Sequence, residues 1–270
     1  MERGIFAKGL LAGCCAVLAT AAYGWSAYDG FDYRSALLDG ADGGSGEWSI
    51  YWRPSGVGGV KVITPGLTYT DRAGQPLAVS GNAVTVSDTA TAGAYRDTSV
   101  LAVPAQGKQT VWLSCLAKVE GGPFDASGDE ASLQLRDSAN TEWVTLGVMG
   151  RLDQWRLRLG NGKDKFFSDG AKMAAPSDLH WLVVCVQIDT TPGGKDSVYL
   201  WVDPAVGRQP HVSEALASAT DQDIWLAGTE VAFSRLRVGL INSGSAESKT
   251  MTFDEVHLGE TFAEVAPVGR

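Results

Sequence analysis

An all-β fold, two antiparallel sheets packed as a jelly-roll β-sandwich, is the prediction for this chain of 270 residues. Composition is the first observation behind it. Thirty-three glycines and 10 prolines punctuate a chain rich in Val, Thr, Ser and Trp, of which only 20% is charged. β-branched and aromatic side chains fit a pleated, half-buried surface, and Gly and Pro supply turns. Spacing is the second: strand-like runs at 131–136, 142–149 and 154–159 recur about every ten residues, with turn signals between them. The third is the stretch His180 to Pro204, HWLVVCVQIDTTPGGKDSVYLWVDP. Its two alternating apolar runs, joined through Pro192, Gly193 and Gly194, read as a hairpin at the centre of the sandwich.

Taken in order, the chain opens on a targeting segment. Arg3 and Lys8 precede an apolar run from Gly9 to Ala22, and Ala22 with Gly24 forms a small-residue cleavage site before Trp25. Residues 1–24 therefore read as a secretory signal peptide and 25–270 as a single β-sandwich, with cleavage after Ala27 the nearest alternative. The apolar run falls short of the ~20 residues a membrane span needs, so no membrane insertion is expected after cleavage. Leu11 to Cys14 also matches a lipobox, which would instead leave a periplasmic or surface protein lipid-anchored through Cys14.

Strands are then expected at Tyr28–Tyr33, Val60–Thr64 and Ala83–Val86, the last within a polar, Gly-punctuated stretch from Asp71 to Ala92. The first long strand is Gln109–Val119, with Val111, Leu113, Cys115 and Ala117 alternating against Trp112, Ser114, Leu116 and Lys118. Beyond the hairpin, Ser213–Ala219 reads as a helical turn capped by Ser213. Thr229–Ile241 alternates Arg235, Arg237 and Gly239 with Leu236, Val238 and Leu240, and Thr250–Gly259 is the last strand.

Formal charge is −9, and because the leader carries a net +1 the remainder stands at −10. Such a surface repels phosphates and anionic membranes, which argues against nucleic-acid partners, and it is compatible with neutral polysaccharides, cationic surfaces or Ca²⁺; the expected partner is a glycan or a surface protein. With Cys14 and Cys15 in the leader, Cys115 and Cys185 remain. An exported protein permits a disulfide between them, and two buried thiols acting as small hydrophobes is the other reading.

The chain resembles the LamG-like jelly-roll proteins of the concanavalin A-like lectin and glucanase superfamily, of the exported bacterial type. The likeness lies in YDGFDY at Tyr28–Tyr33, the Gly-rich loop and Trp at Gly43–Trp48, and TVWLSCL at Thr110–Leu116. It extends through WLVVCVQID at Trp181–Asp189 and VYLWVDP at Val198–Pro204 to FDEVHLG at Phe253–Gly259. It implies two large sheets face to face with the first and last strands as neighbours, and rim loops of a kind that hold calcium. It does not fix a function, because one fold hosts many.

Catalytic signatures are missing from the sequence. Retaining glycosidases need carboxylates about 5–5.5 Å apart, whereas Asp254 and Glu255 are adjacent and on a strand face opposite sides. Glu255 and His257 share a face, but a Glu/His pair is not the hydrolase signature. No G-x-S-x-G elbow, zinc spacing or Walker loop is present. Calcium favours oxygen-rich loops, and the candidates are Asp189/Asp196, Asp39/Asp42, Asp125/Asp129/Glu130 and Asp221/Asp223. For a glycan, aromatic faces beside polar groups are the candidates: Trp181, Tyr199, Trp201 and Asp203 on the hairpin, with Trp48 and Trp52 from a loop. If Leu182, Val184, Val186, Val198, Leu200 and Val202 are core, the opposite hairpin face is either a binding groove or a surface covered by long loops; Trp48 and Trp52 either reach a ligand or plug one end of the sandwich. The expectation is a non-catalytic module for glycan recognition. A structural or adhesive module is the alternative, and a glycan hydrolase or lyase comes third.

Overall fold

The computed structural model describes residues 24–56, 59–88, 91–103, 105–121, 124, 128–150, 154–160, 165–167, 177–225, 231–243 and 248–266. The leader up to residue 23, Asp125 and the expected turns at 151–153 and 161–162 lie outside the described residues. Five short strands come first: β1 (Ala27–Asp29), β2 (Ser45–Gly46), β3 (Arg53–Pro54), β4 (Val60–Ile63) and β5 (Ala83–Asp88). Then follow β6 (Thr91–Val103), β7 (Lys108–Gly121), β8 (Glu130–Arg136), β9 (Glu142–Met149), β10 (Trp155–Leu159) and β11 (Lys165–Phe167). The hairpin forms β12 (His180–Asp189) and β13 (Asp196–Val202). After it come β14 (Ala217–Gln222), β15 (Val231–Ile241), β16 (Lys249–Gly259) and the one-turn helix α1 (Phe262–Val265).

These strands form two antiparallel sheets. One has nine strands in the order β14-β13-β12-β7-β16-β1-β2, with β5 also on β16 and β4 beyond it; the other runs β11-β10-β9-β8-β15-β6-β3. The hairpin sits within the first sheet, paired to β7 from His180 against Ala117 through Asp189 against Lys108. Its aliphatic face behaves as the alternation predicts. Leu182, Val184, Val186, Val198 and Leu200 share one buried cluster with Leu133, Leu135, Val144, Leu146, Leu236 and Val238 of the facing sheet. Each such side chain contributes about 1.5–3 kcal/mol on burial. The first and last strands are neighbours, Ala27 pairing with Leu258.

Several expected elements change. YDGFDY is a strand only to Asp29, because the Asp29 carboxylate accepts the Phe31 N–H and Phe31 turns to φ 54°. Between Asp71 and Ala92 the polar pattern hides the start of β6, a 13-residue strand. Ala92 and Ala94 bury little area, and Arg96 occupies the core-facing side as the partner of Asp29, so the strand lacks an apolar stripe. At 213–219 the turn is a 3₁₀ turn, Val212–Glu214, capped by His211 rather than Ser213, and Ala217 onward joins β13 as edge strand β14. Local alanine preference for helix yields there to sheet pairing.

β16 is forked. One edge pairs with β7, while the other is divided: Lys249–Phe253 pair with β5 and Val256–Leu258 with β1. The changeover falls at Asp254 and Glu255, where the register against β7 shifts and Glu255 takes φ 49°. The two cysteines are free. Cys115 stands opposite Leu182, and Cys185 opposite Trp112, with Cys115 in the core between the sheets and Cys185 on the outer side. Adjacent strands thus hold the two thiols on opposite faces, and burial pushes Cys185 up to about 12.

Candidate functional site

The hairpin residues chosen for ligand contact do not line an open groove. Trp181 is 0% and Trp201 2% exposed, and Tyr199 is half-buried. A second apolar layer covers them, formed by Leu77, Val206, Phe262 and Val265 with Trp112. Trp112 stacks on Trp201 at 5.8 Å, and Phe262 packs against both Trp112 and Trp181. Of the two readings of this face, the covered one holds. Asp203 closes the hairpin, accepting the Trp181 N–H at 3.0 Å and pairing with His180 Nδ1 at 2.7 Å. Trp52 is buried, its indole N–H donating to Asp29 at 2.8 Å, and the Trp48 N–H donates to the Tyr28 carbonyl at 2.9 Å. With Arg96 on Asp29 at 2.9 Å and Tyr33 donating to the same carboxylate, they plug one end of the sandwich.

Five of the carboxylates suited to calcium already have donors. Asp189 pairs with Lys108 at 2.7 Å and accepts Thr191, which holds its carboxyl down at about 2. Asp196 accepts the backbone N–H groups of Asp189, Ile224 and Trp225. Asp42, Asp129 and Asp223 likewise meet Arg96, Lys249 and Lys195. A cationic or N–H donor stands where a metal would need a bare oxygen, and among the described residues no cluster of three metal-ligating side chains forms.

A polar surface does exist, on the outer face of the seven-stranded sheet. Alternation sends Leu133, Leu135, Val144, Leu157, Leu236 and Val238 inward. Their neighbours point out, and the register aligns them in a row: Arg53, Tyr95, Arg237, Gln134, Thr145 and Arg158, one from each of six adjacent strands. A second row runs Asp97, Arg235, Arg136 and Glu142. The row on the other side is almost without side chains: Gly93, Gly239, Ser132, Gly147, then Arg156. The Arg237 guanidinium lies over this gap, within 2.5 Å of where a Cβ on Gly239 would stand.

Hydrogen bonds preset this face. Gln134 Oε1 accepts from Arg136 Nε at 2.8 Å and from Arg237 at 3.2 Å, while its amide donates to Glu130. Arg158 bonds Glu130 at 2.7 Å and also Glu142, and Arg235 pairs with Asp97 at 2.6 Å beneath the Tyr95 ring, 4.3 Å from its centroid. Burial pulls Arg158 down, but Glu130 and Glu142 outweigh it and hold the guanidinium above its ordinary range. Arg237 differs. It is 6% exposed, its hydrogen bonds go to the neutral Ser55 hydroxyl and Gln134 amide, and burial lowers its pKa. Among the described residues, six arginines thus share the face with three carboxylates, Asp97, Glu130 and Glu142, an excess of +3 on a chain whose net charge is −9.

No family model matches the chain, and no curated protein does. Among solved structures, the endo-β-1,4-glucuronan lyase from the fungus Trichoderma reesei is 14% identical with a TM-score of 0.50, over 82% of this chain and 94% of that one. A carbohydrate esterase from Shiga toxin-encoding bacteriophage phi24B is 14% identical, TM-score 0.43, over 78% and 90%. The botulinum neurotoxin serotype C1 binding domain is 8% identical, TM-score 0.39, over 74% of this chain and 49% of that one. At 14% identity the likeness to the lyase is one of fold.

The arginines carried a signal in the sequence. Gln134/Arg136, Arg156/Arg158 and Arg235/Arg237 are each spaced by two within strands, and so each pair shares a face. What the sequence did not reveal is that β15 and β8 are neighbours, that β10 follows beyond β9, and that Arg237, Gln134 and Arg158 fall in one row.

Proposed function

We propose that the outer face of the seven-stranded sheet recognises an anionic glycan, in an exported jelly-roll module of LamG-like type. The supporting observation is Arg237. Its guanidinium is buried and hydrogen-bonds only neutral groups, with Glu130 and Glu142 acting on it through space and not in a direct pair, and a carboxylate or sulfate arriving at the glycine-lined row would form charge-assisted bonds with it. Arg53 and Arg158 at the two ends of the same row, with Arg136 in the row beside it, extend basic side chains over more than one sugar, which suits a polymer. Fold-sharing with a glucuronan lyase is compatible with such a ligand. The neutral glycans, which the chain's overall charge also permits, would leave Arg237 unanswered.

Affinity electrophoresis tests it, with polyglucuronate and a neutral β-glucan as ligands. Retardation is expected with the polyuronate alone, and Arg237→Ala should weaken it by roughly 10–100-fold, as loss of a charge-assisted contact of ~1.5–3 kcal/mol requires. Equal retardation by the neutral glucan, or an unaffected variant, overturns the proposal.

One observation favours a second reading, elimination chemistry. Tyr95 is half-buried with Arg53, Arg235 and Arg237 about it. Those cations would stabilise a uronate whose α-proton is being removed, and a phenol can move protons. The same polyglucuronate incubation reports on it: growth of ultraviolet absorbance from unsaturated ends, abolished by Tyr95→Phe, would make the face a lyase site, and a flat trace leaves recognition.

A further inference from the structure

The fork of β16 opens a second site on the other sheet. Where β1 and β5 part along β16, a cavity of about 440 Å³ lies between Tyr28, Ser45, Ser80, Glu255, His257 and Glu264. Ala78 and Val79 supply its apolar wall, and Ala27 and Leu258, which also border it, turn their side chains into the core between the sheets. That volume falls within the range of roughly 300–1,000 Å³ usual for small-molecule sites.

Two features of this cavity are unusual for packing alone. His257 is 6% exposed, and its Nε2 has no hydrogen-bond partner. Its ring is held by stacking on Tyr28, centroids 4.3 Å apart and planes within 22°. Glu255 is 1% exposed at a non-glycine φ of 49°. A residue held in the left-handed region at a register shift is a strained arrangement of the kind that re-aims a side chain at functional sites. The carboxylate it delivers accepts the Ser80 N–H at 2.5 Å and the Tyr28 hydroxyl at 2.9 Å, and stands 3.6 Å from His257 Nε2, too far for a hydrogen bond.

Charge decides the ligand class. The cavity is lined by two glutamates and by no lysine or arginine. Glu264 is committed to the Glu260 and Thr261 N–H groups, whereas Glu255 has only neutral donors. An anion entering would meet uncompensated carboxylate in a partly desolvated space. A cation would meet Glu255 with the orphaned imidazole nitrogen beside it.

We propose that this cavity binds a small protonated primary amine, its ammonium donating to Glu255 and to His257 Nε2 and its alkyl part lying on Ala78 and Val79. The site is independent of the arginine face, which belongs to the other sheet and takes the opposite charge.

The test is an NMR titration of the His257 imidazole, easily followed because the chain has three histidines, with n-butylammonium, n-butanol and butyrate as probes. Saturable shifts are expected with n-butylammonium at a Kd near 1 mM, about what so few heavy atoms can deliver, with butanol and butyrate at least tenfold weaker. Glu255→Gln keeps acceptor and size but removes the charge, and should weaken the amine about tenfold. Ala78→Trp fills the cavity without touching a polar group; it should abolish amine binding and leave glycan retardation unchanged. The proposal is overturned if butanol or butyrate binds as well as the amine. Amine binding undiminished in Glu255→Gln or Ala78→Trp, or absent from the wild type, also overturns it.

Discussion

Asp254 shows how much one residue at the fork depends on its surroundings. It is 0% exposed; its two oxygens accept the Leu67 N–H at 2.6 Å and the Glu255 N–H at 2.7 Å. Burial, reinforced by the neighbouring Glu255, raises its pKa to about 8 from an ordinary 3.8. The folded state therefore holds a proton that the unfolded state has released between those values. Its contribution to stability is complete below about pH 4 and is lost as pH rises through about 8. Asp254→Asn cannot ionise. Its urea midpoint should be lower at acid pH, where one N–H loses its acceptor, and should change less between about pH 5 and 9 than that of the wild type. An unchanged slope in the variant would assign the titration to another group. In the sequence Asp254 and Glu255 were legible only as adjacent acids on a strand, expected to face opposite sides. The shift at the fork, with Glu255 at φ 49°, is what turns both away from the core.

At the scale of elements, α1 is the clearest case of a small piece with a large duty. Its single turn, opened by the Thr261/Glu264 capping box, brings Phe262 and Val265 onto the outer face of the nine-stranded sheet. Phe262 meets Trp112 edge-on at 5.4 Å and Trp181 at 6.3 Å. Phe262→Ala should cost about 3–5 kcal/mol, the usual loss for a buried phenylalanine, measured by urea denaturation with tryptophan fluorescence. A loss below about 1 kcal/mol would show that the layer over Trp181 and Trp201 stands without the helix. A four-residue helix leaves almost no periodic signature, so the cover was invisible in the sequence although the face it covers was not. Strand β6 was missed for a related reason: Gly93, Asp97 and the core-facing Arg96 break the apolar alternation that reveals strands.

For the whole molecule, charge is distributed between two sheets. The acidic total seen in the composition conceals an arginine-rich face on one and a carboxylate-lined cavity on the other. The position of the N-terminal segment bears on export. Trp25 N lies 2.9 Å from a Glu260 carboxylate oxygen, and its indole N–H donates to the Ser99 carbonyl. Cleavage before Trp25 would free an α-ammonium at that carboxylate, whereas cleavage after Ala27 would remove a 2%-exposed residue from its pairing with Leu258. N-terminal sequencing of the protein recovered outside the cytoplasm should begin at Trp25. A chain beginning at Tyr28, or one retaining lipidated Cys14, would contradict that assignment.

The sequence by itself determined the class of fold, the strands of the central hairpin and the division of Leu182, Val184, Leu200 and their neighbours from Trp181 and Trp201. Alternation within a strand is a local property, and side chains two residues apart must share a face whatever the partner strand is. The tertiary structure alone decided that α1 and Leu77 cover those tryptophans, and that Arg53, Arg237 and Arg158 fall in one row. It alone placed Cys115 and Cys185 on opposite faces of neighbouring strands, and parted β1 from β5 to leave His257 beside a cavity. Each depends on which distant strands pair and in what register, and register is set by the packing of the whole sandwich.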